Sequence, residues 1–181
     1  LGGIASWVAE SEEPGTARAI VLVDIVPHMD PVGVDRIQTF MKANMHEGFA
    51  SLDEAADAVA AYQPHRARPR SHEGLRKNLR LDPDGRYRWH WDPAFMDGPD
   101  AVEGQSAEVE NALAAAAAKL RCPVLLVRGA LSDLVTPDRA EAFRRLVPQA
   151  EVVDVSSAAH MVVGDRNDVF AAAIADFIAR L

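Results

Sequence analysis

The chain has 181 residues, 49% of them hydrophobic, which is enough to bury one or two compact cores, and its formal net charge is −8. With 27 Asp and Glu against 19 Lys and Arg, its surface repels phosphate rather than attracting it, which argues against a nucleic-acid partner. No apolar run reaches the roughly 20 residues of a membrane span, and the opening residues lack the succession of a signal peptide. The expectation is a soluble chain without a membrane partner.

Taken in order, Leu1 to Ala9 is helix-like, and Gly2-Gly3 permits close backbone approach at its start. Ala19 to Ile25 (Ala-Ile-Val-Leu-Val-Asp-Ile) is a short apolar run between Pro14-Gly15 and Pro27, the pattern of a strand buried on both faces. From Pro31 to Gly104 the character changes. Ser51-Leu-Asp-Glu54 is a capping box ahead of a helix ending near Tyr62, and Ser71 is placed to cap a second helix through Leu79. Asp84-Gly85 lies between Leu81 and Tyr87 as the turn of a small hairpin or an irregular loop. Ser106 to Leu120 reads as a helix returning the chain to the sheet.

Two further buried strands follow, Pro123 to Val127 and Glu151 to Val155. Between them Pro137 opens a helix with Phe143, Leu146 and Val147 on one face. Asn167 to Leu181 repeats apolar residues at helical spacing. Strand, helix, strand, helix predicts an α/β fold with a parallel sheet and right-handed crossovers. The expected organisation is core over 1–30, a mostly helical cap insertion over 31–104, and core again over 105–181.

Cys122 is the single cysteine, so no internal disulfide is available; the default compartment is the cytoplasm, and the thiol reads as structural. The basic stretch of His65, Arg66, Arg68, Arg70 and His72, broken by Pro64 and Pro69, reads as a solvated loop face. His46, His65, His72 and His90 show no metal-ligand pairing, and Leu1-Gly2-Gly3 lacks the lysine and spacing of a phosphate loop. Neither a metal nor a cofactor is expected.

The motifs together resemble the α/β-hydrolase family, in its esterase, lipase and perhydrolase-like branch. Leu1-Gly2-Gly3 matches the last positions of the elbow Gly-x-nucleophile-x-Gly, and Leu22-Val23-Asp24 matches the following strand. Arg128-Gly129-Ala130-Leu131-Ser132-Asp133 with Pro137 resembles the loop that carries the family's acid, and Ala158-Ala159-His160-Met161-Val162 the loop that carries its histidine. The resemblance spans essentially the whole chain and implies a C-terminal portion of the fold, with the nucleophile just before Leu1. It implies an ester or related acyl substrate, His160 as general base, Asp133 as the acid on its Nδ1, and the backbone N–H of Leu1 as an oxyanion donor. Asp24 is the rival acid, with a structural role as its main reading; Asp138, Asp154 and Asp165 read as helix-start or loop residues.

His28, Trp89, Trp91, Phe95 and Met96 are candidates to line a substrate pocket, with ordinary packing as the equal alternative for the cap residues. Leu1 in place of an initiating methionine suggests a processed or partial chain. The first strand should then expose an edge for a missing N-terminal segment or a second copy to cover. Three other readings stay open: an aspartate nucleophile of the epoxide hydrolase or haloalkane dehalogenase kind, a perhydrolase or cofactor-free haloperoxidase, and a non-catalytic binding protein or inactive fragment of the fold.

Overall fold

The structure, a computed structural model, describes residues 1–66, 68, 71–98, 106–162 and 167–181. Arg70 and Asp165 lie outside the described residues. The chain divides into two compact units, one formed by Leu1–Val34 and Gly104–Leu181, the other by Asp35–Glu103.

The first unit is built on a parallel sheet of three strands, β1 (Ile20–Val23), β4 (Val124–Gly129) and β5 (Ala150–Val155), in the order β1-β4-β5. Ile20 faces Val124, and Val124 faces Ala150. Central β4 is buried along its whole length, as its unbroken apolar run requires. Burying each of its Val and Leu side chains contributes on the order of 1.5–3 kcal/mol. Because side chains alternate along a strand, Leu125 and Val127 face one layer, where they pack with Val155, Ala158, Val162 and Phe177. Phe177 belongs to α8 (Asn167–Ile178), whose Val169, Phe170 and Ile174 pack against the same cluster. Strand β1 is an edge of the described sheet.

Helix α1 (Gly2–Glu12) packs on β1 and on α6 (Ala107–Ala117), and buries Trp7 completely. Buried Glu10 closes the turn after it by accepting from Gly15 N (3.0 Å) and Ala17 N (2.8 Å). Those two donors, Ala17 first, hold its carboxyl below the ordinary range. Helix α7 (Pro137–Leu146) starts where the sequence expects, with Pro137 in its first turn and Thr136 Oγ1 accepting from Arg139 N. Burial first, and then Glu10, raise the Cys122 thiol above its ordinary value, the environment of a structural cysteine.

Asp154 is a strand residue of β5, not the loop residue expected. Opposite it in β4 stands Arg128, whose Nε and Nη2 donate to the two carboxylate oxygens at 2.8 Å each, while Nη1 donates to Val135 O. The pair keeps the guanidinium charged above its usual range. The Arg128 side chain is 5% exposed and that of Asp154 54%, so Asp154→Asn leaves a buried cation short of its counter-charge. The expected cost is about 1–2 kcal/mol, below that of a fully buried pair because water screens Asp154. Thermal unfolding checks it, at about 2–4 °C per kcal/mol for a domain of this size, and Arg128→Met combined with Asp154→Asn should recover part of the loss.

The second unit contains most of α2 (Pro31–Ala43), α3 (Leu52–Tyr62), the one-turn α4 (Glu73–Arg76), the antiparallel hairpin β2 (Leu79–Leu81) with β3 (Tyr87–Trp89), and the one-turn α5 (Ala94–Asp97). The capping box holds: Ser51 Oγ accepts from Glu54 N at 3.1 Å, and the Glu54 carboxylate accepts from Ala50 N. Ser71 Oγ accepts from Glu73 N at 3.2 Å, but the expected helix through Leu79 stops after one turn. Leu79 is drawn into register with Trp89 and buried beside Phe49, Leu52 and Ala55, so tertiary burial overrides local helix preference. Gly85 makes the hairpin turn at φ +80°.

Arg88 ties that hairpin together through Asp82 and Asp84 at 2.8–3.0 Å. Its guanidinium, followed by Arg86 N–H, lowers the Asp84 carboxyl to about 2. A folded value below the unfolded 3.8 means that this contribution is complete above about pH 4 and lost as pH falls through about 2. The Asp84 carboxyl carbon resonance should therefore titrate near 2, and Asp84→Asn should remove this acid sensitivity of the hairpin. No helix among the described residues is long and apolar enough to cross a membrane.

Candidate active site

All three strands of the main sheet end at the same edge, and three loops emerge there: 24–30 after β1, 130–136 after β4 and 156–162 after β5. In an open parallel sheet, this carboxyl edge is where ligands bind. Gly129, the last residue of β4, lets two of these loops meet. A Cβ there would lie 2.2 Å from Ala159 O and 2.7 Å from Ala158 O. The 130–136 loop is bonded to the end of β5 by Ala130 N to Val155 O (3.0 Å) and to the 156–162 loop by Leu131 N to Ala158 O (2.8 Å). Ser157 makes the turn before the histidine at φ +62°.

The decisive contact joins the first and last loops. His160 Nδ1 lies 2.9 Å from Asp24 Oδ2. Asp24 is fully buried, whereas the histidine side chain is 32% exposed. Asp24 also accepts from Gly129 N at Oδ1 (3.1 Å) and from the Ser132 hydroxyl at Oδ2 (2.6 Å). An ionised carboxylate can be buried only when its oxygens are satisfied in this way. With Asp24 accepting, the imidazole carries its proton on Nδ1 and presents Nε2, the geometry of a general base held by a carboxylate. Asp24 reaches this position with φ +50°, a left-handed conformation that aspartate tolerates better than most residues and that recurs at functional sites.

The carboxylate seen on His160 Nδ1 is that of Asp24, where the loop motif points to Asp133. Asp24 follows β1 directly and reaches Gly129 and Ser132; Asp133 is half-buried in the 130–136 loop, with its backbone carbonyl facing α2. A Cβ on Gly33 would stand 2.4 Å from Asp133 O, and Asp30 N donates to Leu134 O at 2.9 Å. The structural role expected of Asp24 is also present, in its bonds to Gly129 and Ser132.

No protein-family model matches the chain. Among solved structures it is similar to an α/β hydrolase from Novosphingobium aromaticivorans, at 22% identity and a TM-score of 0.78, over 99% of this chain and 62% of the other. It is also similar to E-2-(acetamidomethylene)succinate hydrolase, at 24% identity and a TM-score of 0.76, over 96% and 62%. An esterase from Mycobacterium tuberculosis gives 23% identity and a TM-score of 0.73, over 98% and 59%.

The chain has the α/β-hydrolase fold. It spans about three-fifths of the length of these relatives.

Within the α/β-hydrolase fold, the remaining candidates fall as follows. Leu1 precedes the first turn of α1, its carbonyl accepting from Ala5 N and its side chain 77% exposed. A Cβ on Gly3 would lie 3.0 Å from Ile25 Cγ2 and 3.4 Å from Leu22 Cδ2, so the start of α1 is pressed against the residues flanking Asp24. His28 is half-buried in the loop that begins at Asp24. Trp89 is half-buried and packs edge-on against Phe49 and Phe40, and Met96 is 3% exposed. Trp91 is half-buried, and Phe95 is the more exposed aromatic at 36%. A cavity of about 260 Å³ on the flank of β5 and α7, lined by Arg128, Glu141, Arg144 and Asp154, contains neither Asp24 nor His160.

Sequence reasoning treated Ser132 only as a neighbour of Asp133. The signal that could have found it is its place between a strand-ending glycine and a proline-led helix, where a short hydroxyl side chain bonds local N–H groups.

Proposed function

We propose that this chain carries the base and acid of a cofactor-independent hydrolase acting on an ester or related acyl substrate. His160 is the general base and acid, and Asp24 is the carboxylate that orients it. The observation that carries the reading is the 2.9 Å bond from His160 Nδ1 to a fully buried Asp24 at the carboxyl edge of the sheet. In the forward step, Nε2 takes the proton of a serine hydroxyl as its oxygen attacks the acyl carbon. The imidazolium then returns that proton to the leaving alcohol, and the acyl-enzyme is released by water through the same two transfers.

The nucleophile is assigned to the position before Leu1 in the native polypeptide, with Leu1 N–H as an oxyanion donor worth roughly 3 kcal/mol of transition-state stabilisation. Support comes from the packing of Gly3 on Leu22 and Ile25, which sets the start of α1 against β1 and the residue that follows Asp24. The second unit is assigned as the cap insertion of the fold, and the compartment as the cytoplasm. The test is labelling of the native polypeptide by a fluorophosphonate probe, together with turnover of p-nitrophenyl esters. Labelling that is lost in His160→Ala supports the assignment. Absence of labelling favours an aspartate nucleophile, which would form an alkyl-enzyme ester, or a non-catalytic binding role, and absence of ester turnover as well would sink the acyl-hydrolase reading.

A further inference from the structure

The Ser132 hydroxyl has one proton and two lone pairs. Leu134 N (3.2 Å) and Val135 N (3.1 Å) both donate to its oxygen, and its own N–H is bound to Gly129 O at 3.0 Å. With its acceptor sites filled from within the loop, the hydroxyl proton has one direction left, toward Asp24 Oδ2 at 2.6 Å. Ser132 is 7% exposed, so water does not compete freely for it. Gly129 N meanwhile fixes Oδ1 at 3.1 Å. The carboxylate is thus held at both oxygens, and its plane is set before His160 meets Oδ2.

We infer that Ser132 is a positioning residue, whose loop-locked hydroxyl orients the Asp24 carboxylate and thereby selects the Nδ1-protonated tautomer of His160. A merely structural serine would stabilise the 130–136 loop and leave the ring tautomer alone. The inference extends the hydrolase reading, but its first test needs no turnover.

The imidazole ¹⁵N spectrum of the full chain reports which ring nitrogen holds the proton. The native chain should give predominantly the Nδ1–H form, and Ser132→Ala should shift the ratio toward Nε2–H in the same direction as Asp24→Asn. Ser132→Thr, which keeps the hydroxyl, should retain the native ratio. If the alanine variant does not fold, Ser132→Cys keeps the volume with a weak donor and should give the same shift. A folded Ser132→Ala or Ser132→Cys with the native tautomer ratio overturns the inference.

The second test is activity of the native polypeptide. There Ser132→Ala should lower kcat by about 10- to 100-fold, the range for losing a hydrogen bond to a charged group, with KM within about twofold. Combined with Asp24→Asn it should add little further loss, since both act through one contact; a fully additive loss also overturns the inference. If no ester is turned over while the tautomer shifts as stated, the hydrolase reading fails and the positioning role stands.

Discussion

Asp24→Asn is expected to lower ester hydrolysis by the native polypeptide about 10,000-fold while leaving it folded. The size follows from what an amide does in place of a carboxylate that orients a histidine: it can stabilise the wrong tautomer and does not complement the imidazolium formed during attack. The amide keeps one oxygen, so the Gly129 N–H retains its acceptor while an NH2 group replaces the oxygen that the Ser132 hydroxyl and His160 share. The loop keeps its backbone bonds from Asp30 N to Leu134 O and from Leu131 N to Ala158 O. His160→Ala should cost at least as much, and the two losses should not add, because the pair acts as a unit. Asp133→Asn provides the critical comparison. The loop motif points to Asp133 and the geometry to Asp24, so the Asp133 variant should lose far less activity. Steady-state kinetics on one p-nitrophenyl ester rank the three variants, and an Asp133 variant as damaged as the Asp24 variant would return the acid role to the loop residue.

Gly129→Ala is expected to be the most damaging small substitution in the first unit. The added methyl would meet two backbone carbonyls, Ala159 O at 2.2 Å and Ala158 O at 2.7 Å, neither of which can rotate away as a side chain would. The 156–162 loop must then lift from the end of β4, straining the Ala130–Val155 and Leu131–Ala158 bonds. Overpacking of this kind costs about 1–3 kcal/mol or somewhat more, and a domain of this size loses about 2–4 °C of melting temperature per kcal/mol. His160 rides on the displaced segment, so the imidazole ¹⁵N signals should change along with the melting temperature. Gly2→Ala is the control, because nothing lies within 4 Å of a Cβ at Gly2. A Gly129→Ala protein as stable as Gly2→Ala would mean that the loops are not in the close contact described.

Much of the first unit was readable along the chain because its signals are local. Apolar runs too short for helices become strands when both faces are covered, as in β1, β4 and β5. Pro137 after Thr136, and Ser51 three residues before Glu54, mark helix starts through bonds within one turn. His160 was legible for the same reason, as a histidine just past a buried strand and before a helix. The second unit was less readable. Leu79 sits at the end of a capped helical pattern, yet it joins a strand because Phe49, Leu52 and Trp89 offer it burial.

The sequence by itself determined the strand and helix order, the parallel sheet, and the fact that Asp24, Asp133 and His160 all emerge at its carboxyl edge. Those features follow from hydrophobic period, turn chemistry and chain order. Only the tertiary structure brought Asp24 to the histidine. Asp24 and His160 are 136 residues apart, and no local rule measures the distance between loops on non-adjacent strands. That distance is set by the close approach that Gly129 permits and by where the Ser132 hydroxyl and the Gly129 N–H hold a buried carboxylate.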